Sequence, residues 1–187
     1  MTKEKALAAG LELFSQKGYS NVGLAEILKT AKIPKGSFYH HFKSKEAFAI
    51  QVLERYSNCG LVNFKSVLLE QKELSPKERI KTFYNDRANE FEQKQFVKGC
   101  LLGDSCSEGG VSEEFKTFVD EQLEEWQITI ERCLEEGKKN NQISKTLDTR
   151  MMASVILNGW EGAISRMKLS KSRQSLDDFI LSLDLLI

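Results

Sequence analysis

The chain predicts an all-α protein: a short N-terminal helix-turn-helix domain followed by a larger helical body, about nine helices in all. Three observations carry this. Only two prolines and twelve glycines occur among 187 residues, so long stretches are free of helix breakers. Apolar residues recur at three- and four-residue steps, with few alternating β-branched runs. Finally, Ile33–Lys45 (IPKGSFYHHFKSK) has the composition and apolar spacing of the second helix of a helix-turn-helix.

The elements follow in order. The first helix spans about Lys3 to Lys17, with Leu7, Leu11 and Phe14 on one stripe and Gly18 at its end. Gly23 to Thr30 forms a short helix that buries Leu24, Ile27 and Leu28, and Ala31–Ile33 makes a tight turn. Pro34 suits the first position of the third helix, where its missing N–H costs nothing. The fourth helix starts after Ser44, carries Phe48, Val52 and Tyr56, and runs toward Leu69. Ser75-Pro76-Lys77-Glu78 is a capping box opening a helix to about Phe96. Lys98–Gly110 is a short irregular or helical piece. Ser112-Glu113-Glu114 then starts a helix bearing Phe115, Val119, Leu123, Trp126, Ile130 and Cys133, which ends near Gly137. Asp148 or Thr149 caps the next helix, which carries Met152, Val155, Ile156, Gly159, Trp160, Ala163 and Met167. The last helix begins near Ser175–Asp178, read as a second capping box, and shows Leu176, Phe179, Ile180 and Leu183.

Within the third helix, Phe38 and Phe42 lie four residues apart and point into the protein. Lys35, Gly36, Ser37, Tyr39, His40 and His41 are left on the other faces, a basic, hydroxyl-bearing and small set suited to base edges and phosphates. Lys35, Gly36 and Ser37 are expected at bases; Tyr39, His40, His41 and Lys45 are expected at phosphates. Charge points the same way. The whole chain carries 27 basic and 27 acidic residues, yet residues 1–45 hold eight lysines against three glutamates. A net +5 head on a −5 remainder implies a polyanion partner for the N-terminal part alone.

Ile27, Ala31, Ile33, Gly36, Tyr39 and Phe42, followed by Lys43-Ser44-Lys45-Glu46, resemble the TetR family of bacterial one-component transcription regulators. The family pattern is I-A-x-x-A-G-V-S-x-G-x-x-Y-x-x-F, continuing as F-x-x-K-E, and the resemblance covers roughly residues 3 to 56. Two positions depart from it. Lys32 stands where the family has Gly, so a left-handed lysine is required at a cost of about 1 kcal/mol or more. Pro34 replaces the usual Ser cap.

The resemblance implies a division into a DNA-binding domain, residues 1–45, and an effector-binding and dimerisation domain, residues 46–187. The last two helices would pair with a second copy, with Gly159, Gly162 and Ala163 allowing close approach. Such a homodimer would read palindromic double-stranded operator DNA through two heads about 34–36 Å apart. A small-molecule inducer would lie among aromatic residues such as Phe83, Phe91, Phe118, Trp126 and Trp160, all of which also suit an ordinary helical core.

Gly99-Cys100-Leu101, with Cys106 and then Ser107-Glu108, resembles one TetR subgroup, that of the N-ethylmaleimide reductase repressor, which responds to electrophiles and oxidants through cysteine. Lys29–His40 and Ser44–Phe48 resemble it too. Cys100 and Cys106 are therefore candidate sensor thiols, with Lys168 a candidate partner. The alternative is that both thiols are small buried fillers, the role expected of Cys59 and Cys133. A thiol enzyme is disfavoured, because both histidines lie in the DNA-reading segment and the body has none to act as base. For the same reason no metal site is expected, and no cofactor is implied. No run of eighteen apolar residues and no secretory signal is seen, so cytoplasm is the expected location.

Overall fold

The structure, a computed structural model, describes residues 2–187. Among them it contains nine α-helices: α1 (Thr2–Lys17), α2 (Leu24–Ala31), α3 (Lys35–His41), α4 (Lys45–Lys65), α5 (Pro76–Gln93), α6 (Leu101–Ser105), α7 (Glu113–Lys139), α8 (Thr149–Ser170) and α9 (Gln174–Leu186). One π-helical turn, Ser66–Glu70, continues α4. No strand occurs among the described residues.

Local sequence explains most helix ends. Gly18 stops α1 at φ 77°. Lys32 closes α2 in the left-handed conformation, φ 54° and ψ 48°, as the missing glycine requires. Ser75 and Glu78 form the reciprocal capping box at α5, with Pro76 in its first turn. The Asp148 carboxylate accepts from Met151 N–H at the start of α8.

Four boundaries differ from expectation. Pro34 is the N-cap of α3 and not its first helical residue: its ψ of 150° is extended, and its carbonyl accepts from Phe38 N–H at 3.2 Å. Gln95 and Phe96, both at positive φ, end α5 before it reaches Phe96. α7 runs past Gly137 and stops before Asn141, at φ 57°. Gly137 serves packing instead, since a Cβ there would meet Ile143 Cδ1 at 2.6 Å. Ser175 forms no capping box, because its hydroxyl donates to Ala163 O at 2.8 Å.

The chain divides into two compact units. The first unit holds residues up to Cys59 together with Cys100–Gln122; the second holds Gly60–Gly99 and Leu123–Ile187. The first is built on α1–α3 and the start of α4. Its core is Ala6, Leu7, Leu13, Phe14, Val22, Ile27, Phe38, Phe42, Phe48 and Val52, with Leu13 buried on the α1 stripe in place of Leu11. Phe38, Phe42 and Phe48 pack at centroid distances of 4.9–5.2 Å.

The second unit is the body proper. Phe64 meets Phe83 at 4.5 Å and Trp126 at 4.7 Å, while Trp160 meets Tyr84 at 4.7 Å and Phe179 at 5.4 Å. Arg79 is wholly buried, donating to Leu68 O at 2.7 Å and to Glu136 at 2.7 Å. Its Nε has no hydrogen-bond partner.

Candidate nucleic-acid interface and thiol segment

The α2–α3 hairpin places its apolar residues inward and its polar ones outward. Phe38 and Phe42 are 0% and 1% exposed, so α3 is fixed to the head by two aromatic anchors. Above them Lys35, Gly36, Tyr39, His40 and His41 are exposed and Ser37 is half-exposed. The start of α3 is open: a Cβ at Gly36 would find nothing within 4 Å. Lys35 Nζ lies 5.9 Å from the Tyr39 ring centroid, and the His40 and His41 rings lie 5.0 Å apart. Six of the seven residues expected at DNA therefore share one short, outward surface.

Lys45 is placed differently. Its ammonium sits 4.1 Å from the Tyr19 ring centroid and donates to Tyr19 O at 2.8 Å. Burial lowers its pKa, partly offset by the Glu108 carboxylate. The side chain thus braces the turn between α1 and α2, with two of its three N–H donors left over.

That turn is the feature the sequence did not reveal. Glu108, which follows α6, accepts from Tyr19 N–H at 2.7 Å, from Ser20 N–H at 3.1 Å and from the Ser20 hydroxyl. Nearby, Ser112 N–H donates to Glu46 at 3.2 Å, its hydroxyl donates to the same carboxylate, and Tyr19 packs on Phe115 at 5.4 Å. Burial raises the Tyr19 pKa, with Glu46 and Glu108 adding to the effect. These partners stand 88 and 89 residues apart in sequence, beyond the reach of any local pattern.

The thiols separate by exposure. Cys106 and Cys59 are exposed, Cys100 is half-exposed and Cys133 is buried. Neither candidate sensor is therefore a buried filler, and Cys59 is not one either. Cys100 is the N-cap of α6, its sulphur accepting from Gly103 N–H at 3.5 Å. Cys106 Sγ donates to Leu102 O at 3.5 Å. Burial pushes the Cys133 thiol up to about 12, which removes it from thiolate chemistry at neutral pH. Lys168 lies against the backbone of Gly99, the residue before Cys100 in the chain: a Cβ at Gly99 would sit 2.9 Å from Lys168 Cδ and 3.7 Å from its Nζ. Phe83, Trp126 and Trp160 are packed ring on ring within the body, so a ligand among them would have to part these contacts.

The sequence matches the family model for bacterial regulatory proteins of the tetR family over residues 6–52, and that for the tetracyclin repressor-like C-terminal domain over residues 76–183. It is 34% identical over 178 residues to the HTH-type transcriptional repressor NemR of Escherichia coli, covering 95% of this chain and 89% of that protein. To the transcriptional regulator AcuR of Cereibacter sphaeroides it is 33% identical over 180 residues, covering 96% and 82%. The crystal structure of reduced E. coli NemR superposes with a TM-score of 0.90 at 31% identity, covering 100% of this chain and 97% of that one. With a helix-turn-helix head, a helical body and both family models matched along its length, the chain belongs to the TetR family.

Proposed function

We propose that the protein is a homodimeric transcriptional repressor that binds palindromic operator DNA and lets go when an electrophile, an oxidant or a small-molecule inducer acts on its body. The observation that carries this is the outward face of α3, where Lys35, Gly36, Ser37, Tyr39, His40 and His41 stand over two fully buried phenylalanines. The name of the related E. coli protein, a transcriptional repressor, supports the same function. Lys35, Gly36 and Ser37 approach bases. Tyr39, His40, His41 and a remaining N–H of Lys45 hold phosphates. Residues 1–45 carry the DNA-reading chemistry and residues 46–187 effector binding and dimerisation. A cytoplasmic location fits such a role; no helix among the described residues is long and apolar enough to cross a membrane.

Met151, Val155, Leu181 and Leu185 on α8 and α9 are 43–90% exposed, and these form the subunit contact. Gly162, where a Cβ would meet nothing within 4 Å, admits the neighbouring helix, whereas a Cβ at Gly159 would already come within 3.1 Å of the Phe179 ring. Ile180 is only 6% exposed and belongs to the core of its own chain, so a charge at Leu181 is the cleaner probe of assembly. Leu181→Glu is expected to sediment as a monomer and lose operator binding.

Exposure of Cys106 and the N-cap placement of Cys100 support the thiols as the responsive groups. Selection of bound duplexes from a random pool tests the DNA-reading role. A palindrome whose affinity falls steeply with salt is the expected product. Lys35→Ala relaxes preference at one base pair by about 1–3 kcal/mol, and Tyr39→Phe weakens every sequence alike. Salt-independent or sequence-blind binding contradicts the assignment.

A further inference from the structure

We infer that Glu108 is a positioning residue for operator binding, the one through which the segment bearing Cys100 and Cys106 sets the DNA-binding head. Its carboxylate accepts two successive backbone N–H groups, of Tyr19 and Ser20, and the Ser20 hydroxyl. Those N–H groups lie in the turn between α1 and α2, beyond the end of α1, and Glu108 supplies their acceptor. Gly18, at φ 77°, shapes the turn so that a Cβ there would come within 3.1 Å of the same carboxylate. Lys45 completes the arrangement, donating to the Tyr19 carbonyl and attracted to Glu108. Three donors of the head therefore converge on one carboxylate supplied from outside it, with the Lys45 ammonium held on a carbonyl of the same turn.

The chain on either side of Glu108 differs in stiffness. Toward the thiols it is tied turn by turn: Cys106 N–H donates to Gly103 O at 3.2 Å, Ser107 N–H to Asp104 O at 3.4 Å, and Glu108 N–H to Ser105 O at 3.3 Å. Ser105 is buried, and its hydroxyl returns to Leu101 O at 2.7 Å. Toward α7 come Gly109 and Gly110, exposed and with nothing within 4 Å of a Cβ at either. Glu108 must therefore follow α6, whereas the two glycines absorb movement relative to α7. A displacement of α6 reaches the α1–α2 turn directly.

The switching half of this inference rests on the thiol function proposed above; the positioning half does not. Alkylation by N-ethylmaleimide joins the Cys100 or Cys106 sulphur to an alkene carbon, and the thiol proton ends on the neighbouring carbon. No group leaves and no oxidant is consumed. The adduct adds bulk at one of the two caps of a five-residue helix, and at the partly buried Cys100 the helix shifts to accommodate it.

The test uses the full-length protein on its selected operator, as wild type, Glu108→Ala and Glu108→Gln, before and after N-ethylmaleimide. Glu108→Ala is expected to bind operator about tenfold more weakly at unchanged helical content. Alkylation then lowers its affinity by less than about twofold further, because the coupled contact is already gone. Glu108→Gln falls between, since its amide oxygen still accepts from Tyr19 while its NH2 cannot accept from Ser20, and it serves if the alanine variant does not fold. Amide hydrogen exchange at Tyr19 and Ser20 rises in Glu108→Ala and in alkylated wild type. Wild-type affinity in Glu108→Ala overturns the positioning role. A full wild-type drop on alkylating Glu108→Ala overturns the coupling. A wild type that ignores N-ethylmaleimide overturns the thiol switch, while the untreated affinities and exchange rates still decide the positioning role.

Discussion

Glu108 and Glu46 in one unit and Glu136 in the other show two different uses of a carboxylate. In the unit containing the head, Glu108 and Glu46 accept from backbone N–H and hydroxyl groups of partly exposed turns. In the body, Glu136 faces the guanidinium of Arg79, a side chain with no exposed surface. The first kind of contact is easily given up, because water can replace the protein partner on both sides. The second is not, because Arg79 left alone would be a buried, uncompensated charge, whereas Glu136 would keep Lys72 and its partial exposure. The carboxylate contacts of Glu108 and Glu46 thus lie where water can replace them, whereas the Arg79–Glu136 pair is anchored inside the body.

Breaking this contrast at its strongest point gives the largest effect. Glu136→Ala is expected to destabilise the body by about 3–5 kcal/mol, because it leaves Arg79 charged and buried. Replacing the pair together, Arg79→Met with Glu136→Leu, is expected to recover most of that loss; urea denaturation of both variants checks it. If the single variant proved no worse than the double, the pair would be another surface-type contact. Phe38→Ala removes an aromatic anchor from the head, at about 3–5 kcal/mol. It is expected to lose all DNA sequences together, unlike Lys35→Ala.

Acid sharpens the comparison. Burial opposes the charge on Glu136, but hydrogen bonds and charge from Arg79 and Lys72 outweigh it, and its pKa falls below the ordinary 4.5. A depressed folded value means stability that is fully present above the unfolded value and is lost as pH falls through the folded one. Melting temperature followed from pH 6 to pH 3 is expected to drop in wild type and to drop less in the double replacement. A smaller effect, of opposite sign, is expected in the head. Lys32→Gly relieves a left-handed lysine and stabilises the protein by about 1 kcal/mol, read as a rise in melting temperature.

What the sequence made legible was local. Helix positions, the Ser75–Glu78 box, the left-handed Lys32 and the inward Phe38 and Phe42 all depend on residues within a turn or two of each other, where propensity and steric rules act directly. Gly137 and Ser175 misled for one reason: a residue type that usually ends or caps a helix was taken up by tertiary contact, with Ile143 in one case and Ala163 in the other. The apolar stripe of the last helix does not say which partner covers it: Ile180 is taken up by the core of its own chain, while Leu181 and Leu185 stay exposed. Glu108 was invisible as a ligand of Tyr19 and Ser20 because nothing local marks a contact spanning nearly half the chain.

The central claim, that reaction at an accessible thiol frees the operator, is tested most directly by titrating the operator complex with N-ethylmaleimide in wild type, Cys100→Ser, Cys106→Ser and the double variant. Wild type is expected to release DNA, and one single variant to keep full affinity and lose the response. Cys133 is expected to stay unmodified throughout, its thiol held protonated by burial. Release from the double variant, or none from wild type, would contradict the account and leave a non-covalent inducer among Phe83, Trp126 and Trp160 as the operative signal.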